Sequence, residues 1–310
     1  GSSPSDYSSQ LPIATHETKR TRETKEETNR KRKKISIPVE QKTRLEDLTT
    51  QDICSFPVLK GLLIDISPDE YQLMLSKFQA FRNHILNGEK VNLTVGDDTC
   101  QSPMFYQKLT TKNLRGLISP STFVDADVMD AARALCNAYL RKTKQHDRYM
   151  TASTFWLSDW CKDSPSFKLS ECFHHYVQLV VRAVQEQEET VPNLLASVNV
   201  GGTHWVKVEI LWTSKMMHVT NTLGPSANTD EKPFRNILSN FERELKVDLA
   251  SFRIIFLDNI HQIEYECGVL TCLNMISSVL DRQLYESKHL PFVREAFLFL
   301  FWRNKLPECQ

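Results

Sequence analysis

The chain predicts an α+β fold, with helices flanking a short mixed sheet. Three observations carry the prediction. The composition changes character near residue 40, apolar residues recur at helical spacing in several later segments, and strand-like runs cluster between 194 and 257.

Residues 1 to 40 are rich in Ser, Thr, Lys, Arg and Glu and poor in large apolar side chains. Such a stretch buries too little to offset the entropy of ordering, so a disordered basic tail is expected. Within it, Arg30-Lys31-Arg32-Lys33-Lys34 is a basic run. It reads equally as a nuclear-localisation or nucleic-acid contact and as a solvated charged tail.

Residues 41 to 105 read as a helical extension. Ser67-Pro68-Asp69-Glu70 supplies an N-cap, a first-turn proline and a glutamate at the third position. Met74, Phe78, Phe81 and Ile85 then fall on one face, and Asn87-Gly88 offers a stop. That stripe reads as core packing and carries no chemistry.

Residues 106 to 310 read as a catalytic domain. Val128 to Lys142 has helical periodicity; Leu194 to Val200, Trp205 to Trp212, Met216 to Leu223 and Ile254 to Leu257 read as strands. From Asp230 a helix places Phe234, Ile237, Leu238, Phe241 and Leu245 on one face. Val269, Leu273, Ile276 and Leu280 repeat that logic after Cys267.

Composition narrows the function. The formal net charge is zero, so no global field points to nucleic acid or a membrane surface. The apolar run from Ala296 to Trp302 is too short to cross a bilayer, and the first thirty residues lack the apolar core of a signal peptide. The eight cysteines are scattered without a disulfide framework or a zinc-type pairing, so neither a metal nor an organic cofactor is expected. A reducing compartment, nucleus or cytosol, is the default, and it suits a working thiol.

The chemistry centres on Cys267. Polar, loop-like residues precede it and apolar, helical ones follow, which sets the thiol at a helix N-terminus where backbone amides and the dipole favour thiolate. His204 sits on a strand, and a turn near Thr213-Ser214-Lys215 would return the chain so that Asn221 lies roughly across from it and orients the imidazole. His261 or Gln262 could help the backbone amides hold an oxyanion. A helix-start cysteine alone is more often a small packing residue, and a strand His-Trp is more often structural. The ordered set is what favours catalysis.

His204-Trp205, Asn221-Thr222-Leu223 and Cys267-Gly268-Val269-Leu270-Thr271-Cys272 together resemble the ubiquitin-like-protein proteases, a family with adenoviral and bacterial-effector relatives. Phe123 to Met129 and Ser153 to Trp156 are weaker echoes, so the resemblance spans roughly 110 to 305. It implies a papain-like thiol-protease fold that cleaves ubiquitin or a modifier such as SUMO after its terminal glycine. The modifier and its conjugates would then be the partners, inside a nucleus or cytosol that could be a host cell's. The resemblance further implies that Trp205 lines a narrow slot for the modifier's Gly-Gly tail, with Phe123 where a second slot tryptophan usually stands. Two departures matter: Asn221 replaces the usual aspartate, and His261 occupies the usual oxyanion-glutamine position with Gln262 one residue later. Gln262 is favoured as the donor. A silent modifier-binding relative and a same-clan acetyltransferase are the alternatives.

Overall fold

The capping signal at Ser67 forms a reciprocal box, with Ser67 Oγ accepting from Glu70 N at 3.3 Å and Glu70 Oε2 accepting from Ser67 N at 2.9 Å. The helix it opens runs Pro68–Leu86 and ends at Asn87, with Gly88 in the left-handed region. Leu75, Phe78 and Ile85 are buried along it, and Met74 and Phe81 pack half-buried against the same cluster. The computed structural model describes residues 44–100, 102–166, 174–186, 191–224 and 230–307. The basic run at 30–34, Cys172 and Cys309 lie outside the described residues.

Helices α1 (Thr50–Ser55), α2 (Pro57–Leu62) and α3 (Pro68–Leu86) are followed by β1 (Asn92–Gly96). Strand β1 pairs antiparallel with β2 (Tyr106–Thr110). The stretch expected to be a helical extension therefore ends in a strand, and the 105/106 boundary falls inside a strand pair. Phe56, Leu59 and Phe78 share one apolar cluster with Leu273 and Phe297 far along the chain. All described residues belong to one unit, Glu40–Gln310.

After α4 (Thr111–Ile118) and α5 (Ala126–Lys142), the main sheet is built from β3 (Tyr149–Thr151), β4 (Asn193–Val200), β5 (His204–Leu211), β6 (Met216–Thr220) and β7 (Arg253–Leu257). The order is β3-β4-β5-β6-β7, with parallel outer pairs and antiparallel inner ones, so the sheet is mixed as expected. The remaining helices are α6 (Thr154–Trp160), α7 (His174–Glu186), α8 (Lys232–Leu245), α9 (Cys267–Leu280) and α10 (Val293–Arg303). Periodicity did not mark β3, α6 or α7, which are short or weakly patterned. The apolar run at 296–302 is a buried helix, α10, and no helix among the described residues is long and apolar enough to cross a membrane.

Both sheet faces are covered. Val206, Val208 and Ile210 point into a cluster with Trp156, Trp160, Trp212 and Phe241 from α6, α8 and the strand end. The Trp160–Phe241 and Trp212–Phe241 rings meet edge to face at 4.9 and 5.2 Å, each such pair adding about 0.5–1.5 kcal/mol beyond area burial. Trp205, Lys207 and Glu209 alternate to the side occupied by α9. Burial of Lys207 and Glu209 there is tolerable because they pair at 3.3 Å, while Ser278 accepts from Lys207 at 2.8 Å and Tyr149 donates to Glu209 at 2.8 Å. This face of the sheet carries α9, and with it Cys267, against the start of β5.

Candidate active site

His204 is the first residue of β5, and Asn221 follows the last residue of β6. The register pairs Lys207 with Thr220, which makes Asn221 a diagonal neighbour of His204. His204 Nε2 lies 2.8 Å from Asn221 Oδ1, and Leu223 N donates to the same oxygen at 3.0 Å. An amide N–H can only donate, so the atom between them is the oxygen, and Nε2 must carry the proton. Nδ1 is then the basic nitrogen of the neutral ring. Burial holds the imidazole below its usual range, partly offset by the Asn221 bond.

Cys267 opens α9 and is fully buried. Gly268 explains how the helix start reaches the sheet: a Cβ at this position would lie 2.0 Å from Val124 Cγ2 and 3.2 Å from Trp205 Cδ1. Thr271 Oγ1 donates to Trp205 O at 3.1 Å one turn on, and Cys272 is core, with its thiol 3.4 Å from Met129 Sδ. The helix end was expected to favour thiolate. Burial instead dominates and pushes the Cys267 thiol up, although hydrogen bonds from the Trp205 and Gly268 backbone and the Arg294 charge pull the other way. Burial thus disfavours the charged form of both groups, raising the thiol and lowering the imidazole.

The loop before Cys267 is knitted to the Asn221 turn. Gln262 N donates to Thr222 O at 2.8 Å, and Thr222 Oγ1 donates to Gln262 Oε1 at 2.8 Å. Gln262 Nε2 in turn donates to Glu264 O at 2.6 Å, so this side-chain amide is engaged within the loop. His261 is exposed, 3.9 Å from Asp258, with its ring packed over Gly224, where a Cβ would meet it at 3.0 Å. Both sequence candidates therefore lie, on the same loop, against the turn that follows Asn221.

Trp205 is buried and its Nε1 donates to Val124 O at 3.2 Å, joining it to the residue after Phe123. Phe123 is 47% exposed and meets Tyr265 edge to face at 4.9 Å, two residues before the cysteine. Tyr265 carried no sequence signal of its own. A cleft of about 760 Å³ lies between α6, the Gly201-Gly202 turn and the start of α8, and Trp205 and exposed Phe155 help line it. Among the described residues no cluster of His, Cys, Asp and Glu is arranged to hold a metal ion.

The solved yeast Ulp1 C-terminal protease domain, in complex with the SUMO ortholog Smt3, superposes on this chain with TM-score 0.52, covering 73% of this chain and 93% of that one at 16% identity. This chain has the fold of the ubiquitin-like-protein proteases. The Ulp1-like SUMO protease catalytic domain from Chaetomium thermophilum gives TM-score 0.50 at 15% identity, covering 76% of this chain and 90% of that one. SUMO protease Ulp1 with its catalytic cysteine oxidised to a sulfonic acid gives 0.50 at 14% identity, covering 77% and 97%. No family model and no curated protein matches the sequence. In this fold His204 opens β5 and bonds to Asn221 just after β6, while Cys267 opens α9, which Thr271 ties to Trp205 on β5.

Proposed function

We propose that the chain is a cysteine isopeptidase that releases ubiquitin or a ubiquitin-like modifier such as SUMO from its conjugates. The observation that carries this reading is the Asn221 oxygen fixed between Leu223 N and His204 Nε2, which leaves Nδ1 as a base on the strand that also contacts the Cys267 helix. His204 Nδ1 takes the thiol proton as Cys267 Sγ attacks the carbonyl of the modifier's terminal glycine. His204 then gives that proton to the leaving lysine amine, and the thioester is hydrolysed by water with His204 as base. Backbone amides at the start of α9, with Gln262 or His261, would hold the oxyanion.

The shape around the nucleophile favours a tail without side chains. The helix start is closed in at Gly268 by Val124 and Trp205, with the Phe123–Tyr265 pair on the approach, and a glycine tail suits so narrow a path. The cleft sharing Trp205 offers room for the modifier's approach.

A weakly active or silent binder is the second reading. It is favoured by the burial that pushes the Cys267 thiol up and by the Gln262 amide already engaged with Glu264. Wild type and Cys267→Ala should be incubated with ubiquitin and SUMO carrying a thiol-reactive C-terminus and read by intact mass. An adduct with wild type alone supports the protease; measurable binding with no adduct supports the binder.

A further inference from the structure

We infer that Arg294, on α10, is a positioning residue that holds Cys267 and the Phe123 side of the slot in one frame and keeps a positive charge beside the thiol. The inference rests on the reading of Cys267 as nucleophile.

Arg294 is buried, and its guanidinium donates to backbone carbonyls outside its own helix. Nη1 reaches Leu117 O at 2.8 Å and Gly116 O at 3.4 Å; Nη2 reaches Thr122 O at 2.9 Å and Tyr265 O at 2.6 Å. Leu117 and Thr122 bracket the turn that delivers Phe123, and Tyr265 belongs to the loop that delivers Cys267. A planar fork with several donors can tie two such segments at once, which a lysine cannot do as completely.

The charge of Arg294 is only loosely balanced. Its ion-pair partner is Glu266 Oε1 at 3.8 Å, and Nε makes no hydrogen bond. The ionisable groups that act on Cys267 are Arg294 from α10, Glu266 from the preceding turn and Cys272 one and a half turns further along α9. Burial pushes the Cys272 thiol well up, so Arg294 and Glu266 are the charges set against Cys267, with opposite effects on a thiolate. A purely structural tie would leave the thiol's titration alone; a charge held against Cys267 would not.

The test is alkylation of the full chain by iodoacetamide across a pH series, with the Cys267 peptide followed by mass and exposed Cys54 as reference. Wild type, R294K, R294Q and E266Q are compared after each is shown to be folded by thermal melting. R294Q should move the Cys267 profile to higher pH and slow its modification about tenfold at neutral pH, with R294K recovering most of the loss. E266Q should move the profile to lower pH, and Cys54 should not change in any variant. An R294Q profile superposed on wild type, or an R294K profile no better than R294Q, would overturn the inference. If R294Q does not fold, R294K decides the matter: with the charge kept, its profile should lie within a few tenths of a pH unit of wild type, and a profile moved further to higher pH would overturn the inference. Alkylation needs no modifier, so a failed warhead reaction would count against the protease reading and leave this result standing.

Discussion

His204 Nε2 donates to Asn221 Oδ1 at 2.8 Å, and the same oxygen accepts from Leu223 N, so one side-chain atom sets both the turn after β6 and the tautomer of the imidazole. Asn221→Asp keeps both acceptor roles and adds a charge that stabilises the imidazolium, so it should raise turnover of a modifier substrate or leave it unchanged. Asn221→Ala removes the acceptor and frees the ring to adopt the other tautomer. It should lower kcat on the order of 10²-fold, measured by modifier hydrolysis with the melting temperature as a control.

The pH behaviour of the pair follows from burial. Cys267 is pushed up and His204 down, so burial favours the neutral form of each. Alkylation of Cys267 in the free protein should climb about tenfold per pH unit from pH 7 to 9, and a plateau already present near pH 7 would instead reveal a thiolate–imidazolium pair. Stability changes in step. As pH falls below about 6.5 the unfolded chain protonates His204 before the folded one does, and this contribution to stability is lost. At alkaline pH the unfolded thiol ionises first, so Cys267 makes the fold less stable there too.

Gly268 is the contact that lets α9 touch the sheet. A methyl group at this position would overlap Val124, whose carbonyl accepts from Trp205, and would crowd Trp205 itself. Gly268→Ala should cost about 1–3 kcal/mol in urea unfolding by overpacking. It should also reduce modifier turnover by more than Cys272→Ala does, because it displaces the Trp205 wall and the nucleophile together, whereas Cys272 is packed only in the core.

The strongly patterned elements were legible in the sequence: α3 from its capping box, α5, α8 and α9 from their stripes, and β4 to β7 from short apolar runs. Of the candidate site, the His204–Asn221 neighbourhood was legible because two strands joined by a short turn fix the register that sets Asn221 beside His204. What lay hidden depended on three-dimensional neighbours. The thiol's protonation turns on burial that no spacing encodes. Arg294 lies in the apolar stretch from Leu290 to Trp302, where a lone arginine among buried residues is the one hint of an internal role. The β1–β2 pair was missed because each strand is five residues long and half-buried.

Arg82 on α3 links the N-terminal helices to the site through charge. It lies 3.0 Å from Glu46 Oε1 and 3.3 Å from Glu295 Oε1, and Glu295 adjoins Arg294 on α10. Burial raises the Glu295 carboxyl and Arg82 opposes that, so the arginine favours the charged form of Glu295 in the interior. Arg82→Met should therefore destabilise the fold by about 3–5 kcal/mol in urea unfolding, since it leaves two carboxylates facing each other without a cation. Glu295→Gln, which keeps shape and an acceptor, should cost far less, and adding it to Arg82→Met should recover part of the loss. If the double variant is as unstable as Arg82→Met alone, the arginine acts through packing of its stem and not through its charge. If stability is recovered but Cys267 alkylation remains altered, α10 transmits the disturbance from the N-terminal helices to the nucleophile through Arg294.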